Sequence, residues 1–130
     1  MNPYDAEIYY SRGIAYYGMV VTRNDSSSLD LALEDFHQAL RLNPDSAKVY
    51  ATLGGTYLAK CDYERALVYF NRALQLNPGD SFTYCGRGCL YIIKDEYERG
   101  IKDLETSLRI NPDDPEVRNY IEMARKMQKM

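Results

Sequence analysis

Apolar residues recur along the chain at helical spacing, interrupted by short polar turns. Tyr50, Leu53, Tyr57 and Leu58 lie three and four residues apart, and Ala66, Leu67, Phe70, Ala73 and Leu74 follow in the same rhythm. The pattern predicts helices near 4–21, 28–42, 46–60, 63–76, 80–94, 97–110 and 115–128, an all-α chain of seven helices. Leu42-Asn43-Pro44, Leu76-Asn77-Pro78 and Ile110-Asn111-Pro112 close three blocks, with successive prolines 34 residues apart. Each Asn-Pro stops one helix, and its proline lies in the connection or first turn leading to the next. A fixed period of this length marks a stack of one small motif.

The register holds residue by residue. Tyr50, Gly54 and Tyr57 recur as Tyr84, Gly88 and Tyr91, and Ala66, Phe70, Ala73 and Leu74 as Gly100, Leu104, Ser107 and Leu108. In the first block Ala32, Phe36 and Ala39 stand 34 residues before Ala66, Phe70 and Ala73. Tyr9, Gly13 and Tyr16, however, stand 41 before Tyr50, Gly54 and Tyr57. Seven extra residues therefore fall between Tyr16 and Ala32, and the polar stretch near 22–28 is the natural place for them. Glycine inside a helix costs roughly 1 kcal/mol against alanine. Its recurrence at 13, 54 and 88 points to a close crossing with the backbone of the second helix of each pair.

This skeleton resembles the tetratricopeptide repeat. The middle block matches best, with Tyr50, Leu53-Gly54, Tyr57, Ala66, Phe70, Ala73 and Pro78. The departures are Tyr for the usual Trp, Arg12 and Arg87 for Leu, and Gly100 for Ala. The resemblance implies a right-handed superhelical stack of antiparallel helix pairs, an α-solenoid. It makes 1–130 a single domain: repeat 1 at 6–46, repeat 2 at 47–80, repeat 3 at 81–114, and a capping helix at 115–128.

That last helix departs from the pattern. Asp114 is placed as its N-cap, Pro115 at its first position and Glu116 in its first turn, with Arg125, Lys126 and Lys129 suiting the dipole at its end. Val117, Ile121 and Ala124 form a narrow apolar stripe with Tyr120 and Met127 beside it, as expected of a helix covering the end of repeat 3. At the other end, Pro3 precedes Tyr9 by the same interval that separates Pro44 from Tyr50. The chain thus opens as though a repeat came before it.

Composition narrows the function classes. No apolar run approaches a membrane span, and no basic, apolar leader opens the chain. A net charge of −3 without a basic stripe argues against nucleic acid. Three cysteines make no disulfide framework, and free thiols fit the reducing cytoplasm. His37, the one histidine, has no nucleophile at a recognisable spacing. Cys85 and Cys89 lack the second pair that a structural zinc site needs, and they read more simply as packing residues. No catalytic residue, cofactor or metal is expected.

In proteins similar to this one, the first (A) helix of each repeat lines a concave groove. Carried onto this chain, the lining residues are Glu7, Tyr10, Ile14 and Tyr17 in repeat 1, Lys48, Thr52, Gly55 and Leu58 in repeat 2, and Phe82, Cys85, Cys89 and Ile92 in repeat 3. Tyr10, Ile14 and Tyr17 form a helical stripe, and so do Phe82, Cys85, Cys89 and Ile92. Tyr10 and Tyr17 lie outside the framework slots. The expected function is a non-catalytic interaction module holding a partner peptide or protein segment in a largely apolar groove. An apolar stripe also serves as core, so packing of these residues on each other or under the last helix stays open. A self-assembling scaffold is the rival, with a thiol enzyme using Cys85 or Cys89 a distant third. Relatives that bind the acidic tail of heat-shock chaperones clamp it with Lys, Asn, Asn, Lys and Arg. Here those positions hold Tyr10, Ile14, Thr52, Phe82 and Gly86, so a chaperone tail is not the expected partner.

Overall fold

The computed structural model describes residues 6, 9, 10, 12, 13, 15 and 27–130. Six helices are continuous among them: α1 Ser27–Leu42, α2 Ala47–Ala59, α3 Tyr63–Leu76, α4 Ser81–Ile93, α5 Tyr97–Ile110 and α6 Pro115–Gln128. Of the helix expected at 4–21, the described residues Ala6, Tyr9, Tyr10, Arg12, Gly13 and Ala15 are helical, and the rest lies outside the described residues, as does most of the expected insertion. The described residues contain no strand. α1, α3 and α5 each end directly before their Asn-Pro. Ser46 caps α2 by accepting from the Val49 amide, and Asp80 caps α4 by accepting from Phe82. Asp114 accepts from both Glu116 and Val117, with Pro115 opening α6 as expected.

The turns from α2 to α3 and from α4 to α5 are copies of each other. Lys60 and Lys94 end their helices, then Cys61 and Asp95 adopt left-handed backbone with φ of 63° and 64°. The next amides, Asp62 and Glu96, reach back to the Tyr57 and Tyr91 carbonyls. This is the 6→1 bond of a Schellman turn, whose left-handed position favours glycine. Aspartate tolerates that conformation, but cysteine carries a penalty of about 1–2 kcal/mol. Cys61→Gly is therefore expected to raise stability by about 1 kcal/mol in urea unfolding. A loss of stability would show that Cys61 contributes something its exposed position does not reveal.

The contacts divide the chain into two compact units, Met1–Leu76 and Asn77–Met130. In the first, α2 and α3 form a hairpin against which α1 packs, and Phe36, Leu53, Phe70, Ala32, Ala39, Ala66 and Ala73 are buried. In the second, α4 and α5 form the hairpin, and α6 covers it. Val117, Ile121 and Ala124 close a core with Ile101 and Leu104.

The repeated glycines have two different causes. A methyl group on Gly13 would meet the ring of Phe36 at 2.5 Å, and one on Gly54 would meet the ring of Phe70 at 2.5 Å. The close neighbour at both is an aromatic side chain, not the backbone crossing expected. At Gly88 the expectation holds. There the carbonyl of Gly100 lies 3.0 Å from where the methyl would sit. Leu104 replaces phenylalanine in this repeat, and Gly100 replaces alanine. The smaller side chains let the two helices of repeat 3 approach until backbone meets backbone.

Candidate functional site

In the first unit, three of the residues expected to line the groove come together. The Tyr10 hydroxyl lies 3.2 Å from Thr52 Oγ1, and Lys48 Nζ stands 4.3 Å from the centre of the Tyr10 ring. Thr52 spends its own proton on the Lys48 carbonyl at 2.8 Å, so Tyr10 donates to Thr52. The Tyr10 ring rests on Phe36, 5.8 Å between centroids, which ties this face to the core. Gly55 and Leu58 beside them are half-buried. Glu7, Ile14 and Tyr17 lie outside the described residues.

In the second unit, the stripe on α4 divides. Cys85, Cys89 and Ile92 are half-buried and pack against the α5–α6 core. The alternative of packing under the last helix is thus realised in part for these three. Phe82 stands out at 60% exposure. A hydrogen bond with Cys89, and then burial, push the Cys85 thiol far up, so it stays protonated. The same bond draws Cys89 down while burial opposes it. A nucleophilic thiolate is stabilised by a neighbouring cation or helix N-terminus. Here the charged side chains that act on Cys85 are Asp114 and Glu116, both acidic.

Two ion pairs with buried carboxylates were not among the sequence expectations. Arg12 holds Asp35 at 2.6 and 2.8 Å, and Arg87 holds Asp103 at 2.7 and 2.9 Å, each a two-pronged grip on a buried carboxylate. Both arginines occupy the slot that holds Leu53 in repeat 2, and both aspartates the slot that holds Tyr69. The signal was present, since arginine for leucine and aspartate for tyrosine change together. The pairs are separated by 23 and 16 residues, and the difference is the seven-residue insertion of repeat 1.

Where repeat 2 lacks the ion pair it carries an aromatic cluster. Tyr69 stacks on Tyr57 at 5.4 Å, Tyr50 lies 6.1 Å from Tyr69, and His37 edges both Tyr57 and Tyr69. His37 Nε2 and the Tyr57 hydroxyl share a hydrogen bond of 2.9 Å. Arg65 lies over Tyr57 and Arg72 over Tyr50. Burial first, then the charges of Arg41 and Arg65, hold the His37 imidazole below its ordinary value. Since folding lowers it, the unfolded chain takes up the proton first as pH falls below about 6.5. The stabilisation is full above that value and is lost as pH drops towards the folded pKa. The advantage of wild type over His37→Gln in urea unfolding is therefore expected to shrink from about pH 7.5 to about pH 5.5. An advantage that grows on acidification contradicts the burial of a neutral ring.

An open cleft of about 630 Å³ in the first unit is lined by Tyr9, Arg12, Asp35, His37, Gln38 and Arg41, among others, with both signs of charge on its walls. No group of three or more potential metal ligands occurs among the described residues, and no described helix is long and apolar enough to cross a membrane.

The comparisons with known proteins fit this geometry. The first TPR of Spaghetti (RPAP3), solved bound to the HSP90 peptide SRMEEVD, aligns with a TM-score of 0.87 at 18% identity, over 100% of this chain and 98% of that one. The Arabidopsis OM64 TPR domain aligns at 0.87 and 19% identity, over 98% and 99%. The first TPR domain of human RPAP3 aligns at 0.85 and 19%, over 96% and 93%. At this identity the likeness concerns the fold alone. No curated protein matches the chain. Models of the tetratricopeptide repeat match residues 47–80 and 83–114, together just over half of the sequence. With the repeated helical hairpins and the buried framework residues in place, the chain belongs to the tetratricopeptide repeat family.

Proposed function

We propose that the chain is a non-catalytic interaction module that takes a peptide or protein segment of a partner on the inner faces of its A helices. The residues are those expected from the sequence: Glu7, Tyr10, Ile14, Tyr17, Lys48, Thr52, Gly55, Leu58, Phe82, Cys85, Cys89 and Ile92. The observation that carries this reading is the contrast between framework and face. Framework positions Leu53, Tyr57, Ala66, Phe70, Ala73 and Leu104 are buried and the framework tyrosines Tyr50, Tyr84 and Tyr91 are half-buried, whereas Phe82, an aromatic outside the framework, is 60% exposed. A large apolar side chain left in water on such a face suits an anchor from a partner. In the first unit the Tyr10 and Thr52 hydroxyl protons are both spent within the face and Lys48 covers the Tyr10 ring, so shape and apolar contact contribute more there than hydroxyl donors.

The HSP90 peptide belongs to the neighbour in which it was solved. At the five clamp positions this chain offers Tyr10, Ile14, Thr52, Phe82 and Gly86. None carries the charge-assisted donors that a carboxylate tail requires there. The proposed partner is accordingly not a chaperone tail.

Affinity capture with wild type against a Tyr10→Ala, Phe82→Ala variant tests the reading. Both positions lie outside the framework core, and circular dichroism checks that the variant is folded. Loss of one or more captured partners is expected. Retention of every partner by the folded variant would place the binding surface elsewhere.

A further inference from the structure

We propose that α6 extends the A-helix face, and that this extension docks an amphipathic helix of a partner with apolar residues at three- and four-residue spacing and a flank of carboxylates. The proposal rests on the interaction-module reading above and names the chemistry of its occupant. It starts from the second apolar stripe of α6. Val117, Ile121 and Ala124 point into the core, but Tyr120, Met123 and Met127 remain 37%, 58% and 39% exposed. They stand 34 residues after Gly86, Cys89 and Ile93 of α4. Gly86 and Cys89 are inner-face positions of α4 and Ile93 neighbours Ile92, so Tyr120 and Met123 keep that register in the last helix, even though the framework residues do not. Cys85, Cys89 and Ile92 of α4 pack against the core that Val117, Ile121 and Ala124 of α6 close, so the two helices adjoin in the second unit.

Side-chain chemistry selects the occupant. A stripe at three, four and seven residues on a helix is complemented by a like stripe on another helix, in the manner of knobs into holes. Methionines fill irregular gaps and suit surfaces that receive amphipathic helices. The charge beside them changes along the helix, with Asp114 and Glu116 near Tyr120 and basic residues near Met127. Arg125, Lys126 and Lys129 crowd the last turn, and none makes an ion pair among the described residues. Glu122, one turn before Lys126, is not within ion-pair distance of it. Carboxylates on the incoming helix would answer those three cations and fix its direction, a rim contribution to specificity and association rate.

A library of randomised sixteen-residue amphipathic peptides, selected against the full chain, tests this directly. The enriched peptides should carry long aliphatic or aromatic residues at helical spacing with Glu or Asp on one flank. Binding of the best of them should weaken about ten-fold or more in a Met123→Glu, Met127→Glu variant. Lys126→Glu should weaken it about three-fold, with the loss shrinking in high salt. Both methionines are exposed, so the variant keeps its core, and circular dichroism confirms it. Enriched peptides that depend on Tyr10 or Phe82 but ignore Met123 and Met127 overturn the extension while leaving the interaction module intact. Failure to enrich any peptide overturns both. A dimer in sedimentation that Met123→Glu dissolves makes a second copy the occupant, and methionine-dependent binding to phosphatidylserine–phosphatidylcholine vesicles makes it a membrane surface; either result overturns the proposal.

Discussion

Arg87→Leu on its own is expected to cost the second unit about 3 kcal/mol, and adding Asp103→Tyr is expected to recover most of that loss. Arg87 supplies bonds to both carboxylate oxygens of Asp103, whose side chain is 9% exposed against 22% for Arg87. The hydrogen bond to Asp103 holds the guanidinium above its ordinary value although burial works against it. Removing the arginine leaves a buried carboxylate without its partner, and that desolvation accounts for most of the effect. Replacing both residues is a different matter, because repeat 2 has already done so. Leu53 and Tyr69 occupy the same two slots, and Tyr69 stacks on Tyr57 at 5.4 Å with the rings nearly parallel. A tyrosine at 103 would meet Tyr91 in the same register. The double variant should fall within about 1 kcal/mol of wild type in urea unfolding, a coupling that a double-mutant cycle measures. Simple additivity of the two losses would contradict the equivalence of the two pairings.

The second large effect runs against helix propensity. Gly100→Ala introduces the residue that repeats 1 and 2 carry at this slot, and propensity alone would favour it by about 1 kcal/mol. The added methyl group would lie 2.8 Å from the Gly88 carbonyl oxygen and closer still to Ile92 Cδ1. The isoleucine end can turn aside, but the carbonyl is part of α4 and cannot move without the helix. Overpacking of this kind costs typically about 1–3 kcal/mol, so after the propensity gain the net result is a destabilisation of up to about 2 kcal/mol. A more stable Gly100→Ala protein would mean that α4 and α5 separate freely, and the backbone contact would then not explain the glycine.

The sequence carried the scaffold because the scaffold is built from local signals. Asn-Pro and Asp-Pro fixed the ends of α1, α3 and α5 and the start of α6, while α2 and α4 begin one residue later than expected because Ser46 and Asp80 are caps outside them. Contacts between repeats were harder to read. The glycines announced a close neighbour but not whether it was a ring or a backbone. The left-handed turn at Cys61 has no glycine to mark it. On the candidate face, Tyr10 was legible as surplus to the framework, and its contact with Lys48 and Thr52 agrees with its placement. The fate of Cys85, Cys89 and Ile92 was not legible, because an apolar stripe looks the same whether it meets a partner or α6. Met123 was missed for a related reason. Reading α6 by its core stripe alone hid the 34-residue register that its outer stripe continues.

Hydrogen exchange of the chain alone and with a captured partner locates the binding surface. Added protection is expected on the A helices, Ala47–Ala59 and Ser81–Ile93, with little change on Tyr63–Leu76 and Tyr97–Ile110. Protection concentrated on α3 and α5, with α2 and α4 exchanging as in the free protein, would contradict binding on the A helices.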